Sequence, residues 1–250
     1  MIFSDRIDAG RRLAKKLDVY GGRNDVLVLG IPRGGVPVAF QVATELGAPL
    51  DVFVVRKLGV PSHEELAFGA IATGGVRVLD AQIVDEVGIS DLEIERIAAK
   101  ERQELNRRES VYRGGRPPLN LGGKTVILVD DGIATGASTL AAITALRELK
   151  PARIVLAAPV APASTCRRLR RKVDDLVCLD TPEDFFAIGQ FYEDFSQVSD
   201  EEVTSLLQLN VEEHALEASA NRGSTRKGVQ PCLPPVSRKV FPMTARFPLG

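Results

Sequence analysis

The apolar run Thr125–Val129 (TVILV) is followed at once by two acids, Asp130 and Asp131, and then by a glycine- and hydroxyl-rich turn, Gly132–Thr139 (GIATGAST). An unbroken, β-branched apolar run suits a strand buried on both faces, and such strands belong to parallel sheets covered by helices. Two carboxylates where that strand must end, ahead of a turn that can open a helix, constrain the architecture more than composition does. The same order recurs along the chain. The strand DVLVLG (25–30) runs through IPRGGVPVAFQVATELG into a helix that Gly47 can stop with a left-handed cap. A second buried strand, DVFVVRK, is expected over 51–57. After residue 124 follow a helix at about 138–149, the strand ARIVLAAPV, a helix near 163–171 and the strand DDLVCLD. This alternation predicts an α/β fold with a mainly parallel sheet.

Other stretches punctuate the alternation. Ile7, Leu13, Ala14 and Leu17 share a helical face over 5–17, with Ser4 or Asp5 available as N-cap. Residues 58–80 read as a loop plus a hairpin turning at Gly74-Gly75. Ser90 with Glu93 forms a capping-box signature, and Ile94, Ile97, Ala98 and Leu105 make the stripe of a helical insertion at about 81–113. From about residue 215 the chain turns Pro-rich and basic: residues 216–250 hold six Arg or Lys against the single acid Glu217, which reads as a disordered tail.

Length and composition narrow the functional classes. At 250 residues, 44% hydrophobic and 26% charged with net charge −1, the chain can bury a sizeable core and shows no basic stripe for nucleic acid. Cys166, Cys178 and Cys232 fit neither a disulfide framework nor a zinc site, and His63 and His214 are too few for a Ser-His-Asp or metal constellation. The N-terminus has no apolar signal region and no apolar run is long enough to span a bilayer, so a cytoplasmic protein with no membrane partner is expected. GxxxxGK[ST] is absent, which disfavours P-loop ATP hydrolysis. The adjacency of Asp130 and Asp131 disfavours aspartyl-phosphatase chemistry, where one residue separates the two acids.

The turn itself specifies a ligand. Backbone N–H groups at a strand-to-helix turn, aided by the helix dipole, bind a phosphate monoester. Gly136 and Ala137 permit close approach, and Thr135, Ser138 and Thr139 add hydroxyl donors. Asp130 and Asp131 would repel that phosphate but suit vicinal hydroxyls a few ångströms away. The spacing describes a ribose 5-phosphate.

VILVDDGIATGAST closely resembles the 5-phosphoribosyl-1-pyrophosphate (PRPP) signature of the type I phosphoribosyltransferases, and the resemblance extends over roughly residues 1–209. It implies that Asp130 and Asp131 hold the ribose hydroxyls and that Gly132 and Ala134 through Thr139 (Ala134, Thr135, Gly136, Ala137, Ser138, Thr139) bind the 5-phosphate end. GIPRGG resembles the pyrophosphate loop, placing Arg33, Gly34 and Gly35 against the leaving group. VVRKLGVPSHEELAFG resembles the flexible catalytic loop, with Arg56 and Lys57 as cations for pyrophosphate, Glu64 and Glu65 as further candidates, and His63 on the same loop. The implied fold is a five-stranded parallel core with a small hood built from 1–20 and 181–209. That second segment is rich in rings (Phe185, Phe186, Phe191, Tyr192 and Phe195), of which Phe185 or Phe186 would stack on a planar base. The implied activity is transfer of the phosphoribosyl group to a nitrogenous base. Mg2+ would be carried mainly by PRPP and reached by Asp130 and Asp131, and a homodimer is compatible. A PRPP- or nucleotide-sensing protein that keeps the fold without turnover is the alternative from another class. The whole arrangement looks most like the stand-alone phosphoribosyltransferase-like proteins of bacteria, some of them fused to hydrolase domains. One departure bears on the acceptor: hypoxanthine-guanine enzymes carry Asp where this chain has Ala134, which speaks against 6-oxopurines. Ala134 suits the adenine-type pattern, but the 81–113 insertion does not.

Overall fold

The computed structural model describes residues 1–61 and 63–224, and of residues 63–65 and 217–224 the backbone alone. In chain order the elements are α1 (Arg6–Ala14), β1 (Val26–Gly30), α2 (Gly35–Leu46), β2 (Leu50–Val52), β3 (Val55–Val60), β4 (His63–Ala72), β5 (Val76–Leu79), α3 (Ala81–Val87), α4 (Asp91–Arg113), β6 (Thr125–Val129), α5 (Ala137–Glu148), β7 (Arg153–Val160), α6 (Ala163–Arg170), β8 (Asp175–Asp180) and α7 (Asp200–Ser224). Five strands form a wholly parallel sheet in the order β2-β1-β6-β7-β8, and β3-β4-β5 form a small antiparallel sheet. The α/β class and the parallel five-stranded core expected from the sequence are both observed.

Period-two geometry divides the core between two faces of the parallel sheet. Val28, Ile127 and Val155 enter one apolar cluster with Leu13 of α1 and Val42 of α2. Leu29, Leu128 and Leu156 enter the other with Ile143 of α5 and Leu169 of α6. Burial on both faces explains why β6 reads as an unbroken apolar run. The register sets Val52, Gly30, Val129 and Ala157 side by side, so the chain leaves β2, β1 and β6 at one level. From β1 the chain crosses to β2 on one side, and from β6 it crosses to β7 on the other. In open α/β sheets the crevice at such a reversal is where ligands bind.

Two sequence expectations are corrected here. The run 51–57 is not one strand. Phe53 N–H still donates to Gly30 C=O at 3.0 Å, but Val54 N–H turns to Thr73 Oγ1 at 3.0 Å and Val54 C=O accepts from Thr73 N–H at 2.9 Å. The chain therefore changes sheets at Phe53-Val54, and Arg56 and Lys57 sit in the antiparallel sheet. The segment expected as a loop from residue 58 is instead two paired strand arms, with irregular register at Leu58–Val60. Hydrophobicity alone cannot show where a buried run exchanges one sheet partner for another.

The remaining expected elements are present. The β4–β5 hairpin turns at Gly74 and Gly75, both with positive φ, and the Ser90–Glu93 capping box opens α4, so the segment expected as helical over 81–113 holds α3 and α4. Phe3 bridges Tyr192, and Phe3, Phe191 and Tyr192 pack with Val160, so the N-terminal segment and the segment after β8 are joined. The chain divides into the units Met1–His214 and Ala215–Gly250. Within the second, residues 215–224 are helical where a tail is expected, and the expected disorder of 225–250 lies outside the described residues.

Candidate functional site

The site begins where β1 and β6 end. Ile31 N–H donates to Val129 C=O at 2.9 Å, which draws the loop after β1 against the loop after β6. Contact is close enough to require glycine. A Cβ at Gly34 would overlap the Asp131 carboxylate, and one at Gly35 would lie 2.8 Å from Val129 C=O and 2.9 Å from Asp130 Cα. Gly34 has ordinary φ, so its demand is for space rather than for a left-handed backbone. Arg33, Gly34 and Gly35 of one motif and Asp130 and Asp131 of another, distant in the chain, are thus brought together.

The two acids differ in their surroundings. Asp131 is buried and receives Arg6 Nε at 2.8 Å, while its backbone carbonyl accepts Tyr192 Oη at 2.6 Å. Asp130 is half-buried, and its Oδ1 accepts Asp131 N–H at 3.0 Å. Loss of hydration, and then the adjacent Asp131 charge, push Asp130 well above the usual carboxylate range. Burial also raises Asp131, against the pull of the Arg6 guanidinium. A pair so arranged gains by meeting hydrogen-bond donors or a cation, either of which favours the charged form.

Beyond the acids, Gly136 caps α5 with φ +71 and no side chain; Ala137 N–H reaches Thr135 Oγ1 at 3.5 Å, and the next N–H groups of the first turn, on Ser138 and Thr139, face no side-chain cap. Ala134, Thr135 and Ser138 are exposed, whereas Thr139 is buried. The loop is braced from behind by α6: Thr165 Oγ1 donates to Ala134 C=O at 2.9 Å and Arg168 donates to Thr135 C=O. Gly132 is crossed by Ile188, which a Cβ there would strike. The loop therefore offers donors on its outer side while its carbonyls are held inward, a cradle for an anion beside an acceptor for hydroxyls.

A cavity of about 350 Å3 lies over Asp131, lined by Arg6, Arg33, Gly34, Phe195, Gln197 and Val198. Phe195 is its aromatic wall, with the Arg6 guanidinium 4.0 Å from the ring centroid. Phe185 instead stacks on Phe191 at 5.4 Å, and Phe186 is 90% exposed; neither lines this cavity. Arg56 and Lys57 line a different cavity, of about 590 Å3, with Ser138 on its rim. There Arg56 is paired with Glu101 of α4, its Nε 2.7 Å from Oε2. The side chains of His63, Glu64 and Glu65 lie outside the described residues. Among the described residues no group of three or more His, Cys, Asp or Glu could hold a metal ion, and no helix is long and apolar enough to cross a membrane.

Arg6, Thr165, Arg168 and Gln197 have no signal in sequence, and Phe195 has only its place in a ring-rich segment. Each reaches the site from an element far away in the chain, through tertiary contact that local pattern does not encode.

The α/β sheet thus gathers a glycine corner, an acid pair and the start of a helix at one strand reversal, the place where open α/β sheets bind ligands. The phosphoribosyl transferase domain model matches residues 3–196, and the chain belongs to that family. A Mycobacterium tuberculosis protein that carries the provisional name phosphoribosyl transferase is 48% identical over 206 residues, 82% of this chain and 46% of its own length. This chain thus spans about half the length of that relative. The bifunctional protein PyrR of Chloroflexus aurantiacus is 35% identical over 130 residues, 51% of this chain and 65% of PyrR. The crystal structure of TT1426 from Thermus thermophilus superposes with a TM-score of 0.75 at 43% identity, covering 83% of this chain and 98% of that one.

Proposed function

We propose that this protein transfers the 5-phosphoribosyl group of PRPP to a nitrogenous base, breaking the C1–O bond to diphosphate, forming a C1–N bond and releasing pyrophosphate. One observation carries the reading: hydroxyl acceptors at Asp130-Asp131 and an open α5 first turn stand on a single loop, pressed against Gly34-Gly35. In this reading Asp130 and Asp131 take the ribose hydroxyls, and Ala134–Thr139 take the 5-phosphate. Arg33 with the Gly34-Gly35 backbone faces the diphosphate, aided by Arg56 and Lys57. The base lies in the cavity over Asp131, against Phe195.

The chain's work is electrostatic and positional. It holds the sugar still, neutralises the departing diphosphate and excludes water as positive charge builds on the ribose ring. Mg2+ fits the donor set, since that ion uses one or two carboxylates together with ligand phosphates, and Asp130 and Asp131 would be the carboxylates. When bound it would offset diphosphate charge. Unbridged thiols at Cys166 and Cys178 fit a cytoplasmic setting.

The test is incubation with Mg2+, PRPP and a panel of bases, measuring pyrophosphate. Base-dependent release is expected with at least one acceptor. PRPP binding with no release from any base would assign the protein to sensing instead, and absence of PRPP binding would refute the reading.

A further inference from the structure

Helix α4 meets Arg56 through Glu101, and it also walls the larger cavity. Arg96 and Lys100 stand four residues apart, one above the other on that wall. Across from them β3 presents Arg56 and Lys57, and Ser138, the second residue of α5, closes the rim. Glu101 neutralises Arg56, and Glu95 is engaged by Arg77 of β5. Among the described residues this leaves Lys57, Arg96 and Lys100 without a carboxylate partner.

Like charges at i, i+4 weaken a helix, and three unpaired cations around a cavity repel one another. A ligand with several negative oxygens removes that cost, and low-dielectric walls concentrate the positive potential on it. Arg binds phosphate oxygens in a fork and Lys as a point charge, so the pair suits two linked phosphates better than one carboxylate. The positive end of α5 at Ser138 adds to the same field. We propose that this cavity is an oligophosphate-binding site, to which the insertion helix α4 contributes Arg96 and Lys100. Its occupant is either the diphosphate end of PRPP, in which case the inference rests on the reading above, or a separate oligophosphate.

Inorganic pyrophosphate titrated calorimetrically into the full chain tests this. Arg96→Ala with Lys100→Ala is expected to raise Kd at least about tenfold, with circular dichroism unchanged because both side chains are exposed. The pair Arg96→Gln with Lys100→Gln keeps most of each stem but removes both charges, and should bind pyrophosphate within about threefold of the alanine pair, whereas a merely structural role of the stems predicts recovery. A PRPP titration separates the sources: parallel weakening of PRPP identifies its own diphosphate as the occupant, and unchanged PRPP affinity identifies a separate oligophosphate. Pyrophosphate that fails to bind the unaltered protein, or binds the alanine pair equally well, overturns the proposal. Failure of the ribose reading shows elsewhere, as unchanged PRPP affinity in Asp130→Asn with Asp131→Asn.

Discussion

Asp130 concentrates the site's electrostatic cost. Its carboxyl is held above the ordinary range, first by loss of hydration and then by Asp131. A raised acid binds more protons folded than unfolded, so it destabilises the protein increasingly as pH rises from its unfolded value toward its folded one. Asp130→Asn is therefore expected to stabilise the ligand-free protein at pH 7, with the advantage shrinking as pH approaches 4. Denaturant melts of both forms at the two pH values measure this, and an advantage that grows on acidification would contradict it. Gly34 tests space at the same place. Gly34→Ala must displace the Asp131 carboxylate or the loop, and should weaken PRPP binding at least about tenfold, roughly 1.4 kcal/mol. Gly122→Ala, whose Cβ would meet only Asn120 Oδ1 at 3.6 Å, should leave binding unaltered. The acid pair and the glycine corner are legible in sequence because strand end and turn are adjacent there. Arg6, which tempers Asp131 from 125 positions away, is not.

Among the elements, α6 is the hidden support of the anion loop. Thr165→Val keeps the shape but removes the hydroxyl that holds Ala134 C=O, a loss of about 0.5–1.5 kcal/mol for one hydrogen bond. A roughly two- to twelve-fold weaker PRPP affinity is expected, with kcat changed less than KM because the 5-phosphate contact proposed for this loop would be made in ground and transition states alike. Equal affinity in a calorimetric comparison would show that α6 does not support ligand binding. Elements are legible in sequence wherever burial is two-faced or helical period clear, as for β1, β6, α2 and α5. Legibility fails at 51–67 for a physical reason. A run such as DVFVVRK satisfies a parallel and an antiparallel neighbour equally, and only Thr73, nineteen residues from Val54, decides where the exchange occurs. The aromatic wall is Phe195 rather than Phe185 or Phe186 for a similar reason, since a ring-rich loop does not reveal which ring faces inward.

For the whole molecule, the sheet reversal brings two loops together while α4 ties the site to the small sheet and to α7. Asp200 at the start of α7 accepts Tyr112 Oη at 2.6 Å and lies 3.8 Å from Arg33 Nη1 and 3.6 Å from Arg107 Nη1. Arg33 and Arg56, both proposed for the diphosphate, are thus each held by a carboxylate linked to α4 or borne by it. All of these residues fall within Met1–His214, so a chain ending at His214 should keep PRPP affinity within about threefold, a change below roughly 1 kcal/mol. Recognition of a phosphoribosyl group by the acid pair is what the proposed activity depends on. PRPP with Mg2+ titrated into the unaltered chain and into Asp130→Asn with Asp131→Asn measures that recognition. Saturable binding is expected of the former and at least about hundredfold weaker binding of the latter, about 2.7 kcal/mol. Equal affinity of the two proteins would contradict it.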